Sequence, residues 1–502
     1  MALNIHTLGP WTSGLIVSHP QEMIPLSALS LADNCEIGPS GEAKQRLGFD
    51  TYNATIDAGA AMTLLGEHRF SASATRKYCI VGTNFYEDVS GTWTSRTGAA
   101  TITSATLNYW SAVSCFGTLF LCSSTDGQYK WSAAAGNLAS AGVSARFTAA
   151  RMNEYFDSVL WYGSTSGGGD ESYVWRTDSA SFETIGANNY YLTDGPLTGL
   201  KSFGPSLMLH NKKGIWSLSP TGNTSIPYSR QPRCSIGSDA WRSVVTAPNN
   251  RQYFLREEGI YEWDGGTDPI RISAPLDGSK YWDDLNNSYL QYSYAMVYPY
   301  KSWVIFSLPY GAAQTTMNHW MVFDYKYRRW FGPYKGFSRN CGAVMDLVPH
   351  AGSYAGRAFK HETDDNDDGT AITWEIKTSA MPPNTHTLMH RWISARHIFN
   401  RQNVSFAVTT TQSSEGVVDN AVTLSVTAAG DAVQTSFTIG TSAIAGTSET
   451  SPIDTEMAGW DSGTSFQYLH TQNDVPITLQ KVECLYETIE ATPLNKYESG
   501  VR

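Results

Sequence analysis

Short apolar runs recur through the first three quarters of the chain. Each is followed by a tight turn and a second run that carries an aromatic residue and ends in polar or glycine-rich positions. Lys77-Tyr-Cys-Ile-Val-Gly leads to Phe85-Tyr86, Thr118-Leu-Phe-Leu-Cys to Tyr129-Lys-Trp131, and Ser158-Val-Leu-Trp-Tyr-Gly to Tyr173-Val-Trp175. Ser206-Leu-Met-Leu then leads to Ile215-Trp216, Gln252-Tyr-Phe-Leu to Ile260-Tyr261, and Ser302-Trp-Val-Ile-Phe to Trp320-Met-Val-Phe323. With Tyr86, Tyr129, Trp175, Trp216, Tyr261 and Phe323 as anchors, the gaps are 43, 46, 41, 45 and 62 residues. A four-stranded propeller blade needs about 40–50 residues. The long gap holds Ser307-Leu-Pro-Tyr-Gly-Ala-Ala-Gln-Thr-Thr, a turn-rich insertion. A seventh unit runs from Cys341-Gly-Ala-Val-Met through Phe359 to Ile372-Thr-Trp374-Glu-Ile. The expected fold is all-β, a six- or seven-bladed β-propeller. Two stacked sandwiches would also give short strands and turns, but they do not require this period.

The texture differs at both ends. Residues 1–50 contain Pro20, Pro25 and Pro39 and read as an N-terminal arm that supplies a closing strand to the last blade. The propeller is expected over 51–381. Beyond Pro382-Pro383 the chain turns Thr-, Ser- and Ala-rich. Val404-Ser-Phe-Ala-Val-Thr, Ala421-Val-Thr-Leu-Ser-Val, Ser436-Phe-Thr-Ile-Gly and Ile477-Thr-Leu-Gln-Lys-Val all alternate with period two. Alternation marks strands with one solvated face. A C-terminal antiparallel β-sandwich with its tail is therefore expected over 382–502, with a loop at Gly440–Ser451.

Composition strengthens the all-β reading. Aromatics make up 12% of 502 residues, with 43 Gly, while charged residues are only 16%. Such a chain is poor in helix formers and rich in strand and turn formers. The formal charge of -11, without a Lys/Arg block, argues against a sequence-independent grip on nucleic-acid phosphates. No run approaches the ~20 apolar residues that span a bilayer, so no membrane partner is expected. Met1-Ala-Leu-Asn-Ile-His lacks the pattern of a secretion signal. Seven cysteines without a Cys-x-x-Cys pair support neither structural zinc nor a disulfide framework, which suits synthesis in a reducing cytoplasm.

The chain offers little that resembles catalysis. Ser124-Thr-Asp126-Gly127-Gln-Tyr-Lys-Trp131 approaches the Asp box of sialidase propellers, but its Gly stands one place early and no other blade repeats it. It reads as a turn between strands. Glu257-Glu258 and Asp283-Asp284 read as solvated loop charges, and Gly167-Gly-Gly169 as a turn. His386 and His390, with His397 downstream, have ligand-like spacing only on a helix, which Pro382-Pro383 disfavours. One loop fits a metal better. Asp364, Asn366, Asp368 and Thr370, with Glu375 at position twelve, match the oxygen-ligand spacing of a calcium loop. They are the candidate Ca²⁺ ligands, against the reading of an exposed acidic turn. No residue is assigned a catalytic role.

Three phrases together resemble a known family. Asn34-Cys-Glu-Ile-Gly-Pro-Ser-Gly-Glu-Ala-Lys-Gln-Arg46-Leu-Gly48-Phe49 is similar to the N-terminal segment of tail hub, nozzle or head-stabilisation proteins of short-tailed bacteriophages. Trp320-Met-Val-Phe323-Asp324, running on to Arg329-Trp330, resembles their late-blade phrase. Asp367-Asp-Gly369 through Ile372 to Thr378 resembles the element that closes their propeller. The resemblance covers about residues 30–400. The family's usual Pro before the Gly of the first phrase, Gly48, is Leu47 here, and the C-terminal sandwich has no assigned counterpart.

The resemblance implies a structural, non-enzymatic virion protein located in the tail and made in the host bacterial cytoplasm. Six copies would form a ring below the portal and adaptor proteins. That ring would extend the DNA ejection channel, let genomic DNA pass without specific binding, and anchor tail fibre or needle proteins. Two other readings stand beside it. One is a carbohydrate-binding or carbohydrate-degrading propeller, a lectin or depolymerase. The other is a monomeric interaction propeller.

Overall fold

The computed structural model describes residues 3–380, apart from 144–145, 167–170, 179–180, 267 and 278–280. It then describes 389–400, 406–414, 417–426, 450–456, 462–463, 466–473 and 476–489. The expected linker at Pro382-Pro383, the turn at Gly167–Gly169, the strand at Ser436–Gly440 and most of the loop that follows it lie outside these residues. The chain divides into two compact units. One comprises Leu47–Arg328 and Lys335–Gly369, the other Met1–Arg46, Arg329–Tyr334 and Thr370–Arg502.

The first unit is a propeller. Among the described residues, seven small antiparallel sheets follow one another, with first strands Met62–Ser71, Trp110–Cys115, Ala149–Phe156, Leu197–Phe203, Val245–Ala247, Tyr294–Tyr298 and Cys341–Met345. Each first strand lies beside the next, and Cys341–Met345 lies beside Met62–Ser71, so the ring closes around an axis. The six anchor aromatics all fall on third strands: Asn84–Val89, Gln128–Trp131, Tyr173–Arg176, Gly214–Pro220, Gly259–Trp263 and His319–Asp324. The apolar runs before them are the second strands. Ser206–Asn211 and Trp303–Leu308 are buried at every position because a neighbouring blade covers each face. That double burial is why these strands read as continuous apolar runs.

Rings fill the gaps between blades. Trp131 of the second blade packs against Phe70 and Phe85 of the first, at 4.6 and 5.1 Å between centroids in edge-to-face geometry. Its indole N–H donates to the Gly136 carbonyl at 2.8 Å, so the bulk is buried without an orphaned donor.

The seventh blade draws on distant parts of the chain. Cys341–Met345, Val348–Gly352 and Ala358–His361 are completed by Phe49–Tyr52, with Phe49 opposite His361 and Tyr52 opposite Ala358. Thr373–Thr378, expected as the end of the seventh repeat, is not in that blade. It pairs with Ala28–Asp33 and Phe466–Asn473 in the other unit. The edge is already taken by the N-terminal strand, and the propeller segment ends at Gly369 rather than near 381.

The second unit is a β-sandwich. One sheet orders Thr450–Glu456, Met389–Asn400, Thr478–Ile489, Ala43–Gln45 and Cys35–Ile37, with Leu3–Leu8 also on Thr478–Ile489. The other orders Gly14–Leu15, Ala28–Asp33, Thr373–Thr378, Phe466–Asn473, Phe406–Ser414 and Val417–Val426. From Phe406 to Thr410 buried and exposed residues alternate strictly, as period two requires of a sheet with one wet face. Phe399 and Phe406 meet edge to face at 5.4 Å, one from each sheet. Residues 3–45 thus supply strands to both sheets instead of standing apart as an arm. No helix among the described residues is long and apolar enough to cross a membrane.

Candidate functional site

Within the sandwich unit, Asn34 sits at a left-handed turn between Ala28–Asp33 and Cys35–Ile37, with φ 50°. Asparagine tolerates that region better than most residues. Its backbone N–H donates to the Pro333 carbonyl at 2.9 Å, and its amide nitrogen donates to the Thr373 carbonyl at 2.8 Å. The Arg46 Nε donates to Asn34 Oδ1 at 2.8 Å, and the Arg46 backbone N–H donates to the Asn34 carbonyl at 2.9 Å. One residue, through its backbone and its side chain, therefore ties together segments near residues 34, 46, 333 and 373. Arg329 reinforces the same region by donating from one Nη to the carbonyls of Ile37 and Gly38 at 2.9 and 2.8 Å. In the propeller unit, Asp324 Oδ1 accepts the backbone N–H groups of Lys326 and Tyr327 at 3.1 and 3.0 Å, fixing the turn after Phe323.

The oxygens of the candidate calcium loop are engaged in hydrogen bonds. Asp364 Oδ1 accepts the Asp365 N–H, and Asn366 Oδ1 accepts the Gly369 N–H, both at 2.7 Å, so these oxygens hold their own turns. Asp368 reaches the closing strand, accepting from Thr51 Oγ1 at 3.0 Å and from the Thr51 N–H at 3.3 Å. The loop carbonyls do the same. Gly48 N–H donates to the Asp364 carbonyl at 2.6 Å and Phe49 N–H to that of Asn366 at 3.1 Å. Thr370 and Glu375 belong to the sandwich unit, where Glu375 stands opposite Asp33 and Thr471. Among the described residues no three His, Cys, Asp or Glu side chains converge as metal ligands.

A polar cluster spans the propeller axis where the first strands begin. Tyr109 donates to Asn340 Oδ1 at 2.8 Å, and the Asn340 amide donates to the Met62 carbonyl at 3.0 Å. Arg242 donates from Nη1 to the Asn340 carbonyl at 2.8 Å and from Nη2 to the Tyr292 carbonyl. Its guanidinium lies 3.5 Å from the Tyr109 ring centroid, within cation–π range. These residues lie in or immediately before the first strands of blades one, two, five, six and seven, so the contacts cross the ring and plug it. Above the plug the blade loops enclose a cup of about 400 Å³.

Asp126 and His397, also singled out in the sequence, have structural partners. Asp126 of the imperfect Asp box is buried, accepting from Thr103 Oγ1 and the Asn108 amide at 2.7 Å each. His390 and His397 lie on a strand rather than a helix, while His386 is outside the described residues. His397 Nδ1 is 3.0 Å from His470 Nε2 in the sandwich core, where burial lowers the pKa of both rings. Sequence reasoning missed Tyr109, Arg242 and Asn340. The one signal they share is a place one to three residues before a first strand.

No protein-family model matches the chain, and no curated protein matches it. Similar solved structures include YCF48 from Cyanidioschyzon merolae, at 9% identity and a TM-score of 0.38, over 62% of this chain and 98% of that one. BamB from Moraxella catarrhalis is similar at 9% identity and a TM-score of 0.36, over 62% and 97%. An exo-β-1,3-galactanase from Phanerochaete chrysosporium, solved with galactose, is similar at 9% identity and a TM-score of 0.26, over 88% and 100%.

Proposed function

We propose that this chain is a structural, non-enzymatic virion protein of a tailed bacteriophage. It assembles as a ring of six below the portal and adaptor, extends the DNA ejection channel, and anchors a fibre or needle protein. The observation that carries this reading is the Asn34 joint. The phrases that resemble tail-hub proteins supply Asn34 and Arg46, while Pro333 and Thr373 lie in the strands carrying the other two. Residues that look unrelated along the chain therefore serve one structural purpose.

The plugged axis bears on where DNA would travel. A duplex has no path through a propeller whose centre is filled by Tyr109, Arg242 and Asn340, so the channel in this reading lies between copies. A closed ring of identical subunits uses head-to-tail interfaces. An acidic chain suits a wall that DNA must slide past, because accumulated phosphate contacts would slow transit. Native mass spectrometry and cryo-EM of the purified full chain, alone and with portal and adaptor, test the reading. Six or twelve copies around an open channel support it. A monomer under both conditions, or tight duplex binding at physiological salt, overturns it.

A further inference from the structure

The cup over the axial plug has a chemistry that points to a ligand of its own. We propose that it binds a short, uncharged saccharide. The cup draws its wall from blades two to six, and its volume of about 400 Å³ lies in the lower part of the range for small-molecule sites, roughly 300–1,000 Å³. Its floor is fixed, because Tyr109 is buried, stacked against Arg242 and bonded to Asn340.

Charge decides the class of ligand. The rim carries two cations and two anions, and they are paired. Arg151 Nη2 stands 3.4 Å from Glu171 Oε1, and Lys212 Nζ stands 3.9 Å from Asp239 Oδ1. A bound anion would confront both carboxylates and a bound cation both basic groups, so neither gains a net field. A purely apolar ligand would strip water from four charged groups and give no hydrogen bond in return. A polyol satisfies these groups without adding charge. Trp241 and Tyr292, each half-buried on the wall, add ring surface for the C–H faces of a pyranose. Gln291, exposed on the same rim, adds an amide donor and acceptor.

Saturation-transfer NMR of the full chain with maltotriose, cellotriose, xylotriose and tri-N-acetylchitotriose tests the proposal, with 3′-sialyllactose as the charged comparison. The expected result is transfer to ring protons of at least one neutral trisaccharide. Tyr292→Ala should weaken that binding by about tenfold, the loss of one good contact. Gln291→Ala, at an exposed position that tolerates change, should weaken it by about threefold while the melting temperature stays put. Absence of transfer from all four neutral sugars overturns the proposal. So does transfer to sialyllactose alone, or transfer that both variants leave unchanged. The outcome is independent of whether the chain assembles into a ring.

Discussion

Gly48 and Asn366 meet backbone to backbone: a methyl group added to Gly48 would stand 1.8 Å from the Asn366 carbonyl oxygen. The contact lies where the N-terminal strand enters the seventh blade, and Glu362 N–H donates to the Gly48 carbonyl at 2.9 Å from the other side. Glycine is required there by a close approach of two main chains rather than by a positive φ.

Gly48→Ala should therefore loosen ring closure. The backbone must shift by more than an ångström at a clamped position, and a loss of roughly 2–4 kcal/mol is expected for overpacking of this kind. Urea unfolding measures it, and proteolysis should then cut first near Phe49–Tyr52.

Arg46→Ala should cost a similar amount, about 2–4 kcal/mol, because Arg46 is buried and its removal takes away a donor to the Asn34 side-chain oxygen. Arg46→Lys should restore little of this, since an ammonium cannot reproduce the planar donor stacked 5.6 Å from the Tyr334 ring centroid. Thermal melting of the two variants against the parent separates lost charge from lost geometry.

Asp368→Ala should weaken the same blade modestly, by about 0.5–1.5 kcal/mol, because its bonds to Thr51 are solvent-exposed. Millimolar Ca²⁺ should leave the melting temperature of both proteins unchanged. A calcium-dependent rise in the parent alone would return the loop to a metal-binding role.

Acid should destabilise the chain through buried histidines. Burial pushes His210, His319, His350 and His397 down to about 4, from 6.5 in the unfolded chain. The folded state keeps these rings neutral while the unfolded state takes up protons. Their contribution is thus fully present above pH 6.5 and is lost as pH falls towards 4. For fully buried His210, whose Nε2 faces Gln252 Oε1 at 3.2 Å, the loss is at most about 3 kcal/mol. Stability measured by urea unfolding from pH 7 to 4 should fall through that window. His210→Gln should flatten part of the fall.

Thiols should be silent in the folded protein. All seven cysteines are free, and every one but Cys234 is buried. Burial raises their pKa values, to about 12 for Cys341 and Cys484 and about 11 for Cys115. The reactive thiolate is scarce at neutral pH. A chromogenic disulfide reagent should titrate no more than Cys234 promptly and all seven after denaturation.

The blades were legible where burial leaves its mark locally. Second and third strands such as Trp303–Leu308 and His319–Asp324 are covered on both faces, and their apolar runs show it. Outer strands as short as Ala139–Ser140 and Ile270–Arg271 carry too few residues for any period to register. Strand partnership was the harder matter. Phe49–Tyr52 and Thr373–Thr378 both look like strands, but nothing within either segment says which one fills the open edge at Ala358–His361. Hydrophobic pattern fixes the face a strand buries, whereas its neighbour is set by contacts hundreds of residues away.

The site was legible in residue types and not in geometry. The loop at Asp364–Gly369 has the oxygen-rich composition and sharp turn of a calcium loop, yet those oxygens serve its own backbone and Thr51. Asn34 and Arg46 were singled out by resemblance, but their hydrogen bonds follow from the fold. Arg242 and Tyr109 belong to no motif, being single ordinary residues that the ring brings face to face.

The pairing of Leu3–Leu8 with Thr478–Ile489 has a mechanical meaning. The strands run antiparallel, with Leu3 opposite Glu487 and Leu8 opposite Val482, so the two ends of the described chain emerge at the same end of one ribbon. Tension applied between them would peel this ribbon like a zipper, breaking its hydrogen bonds one after another rather than all at once. Opening is therefore expected to begin where Leu3 faces Glu487 and to run towards Leu8 and Val482, so this ribbon is the first link to yield under traction.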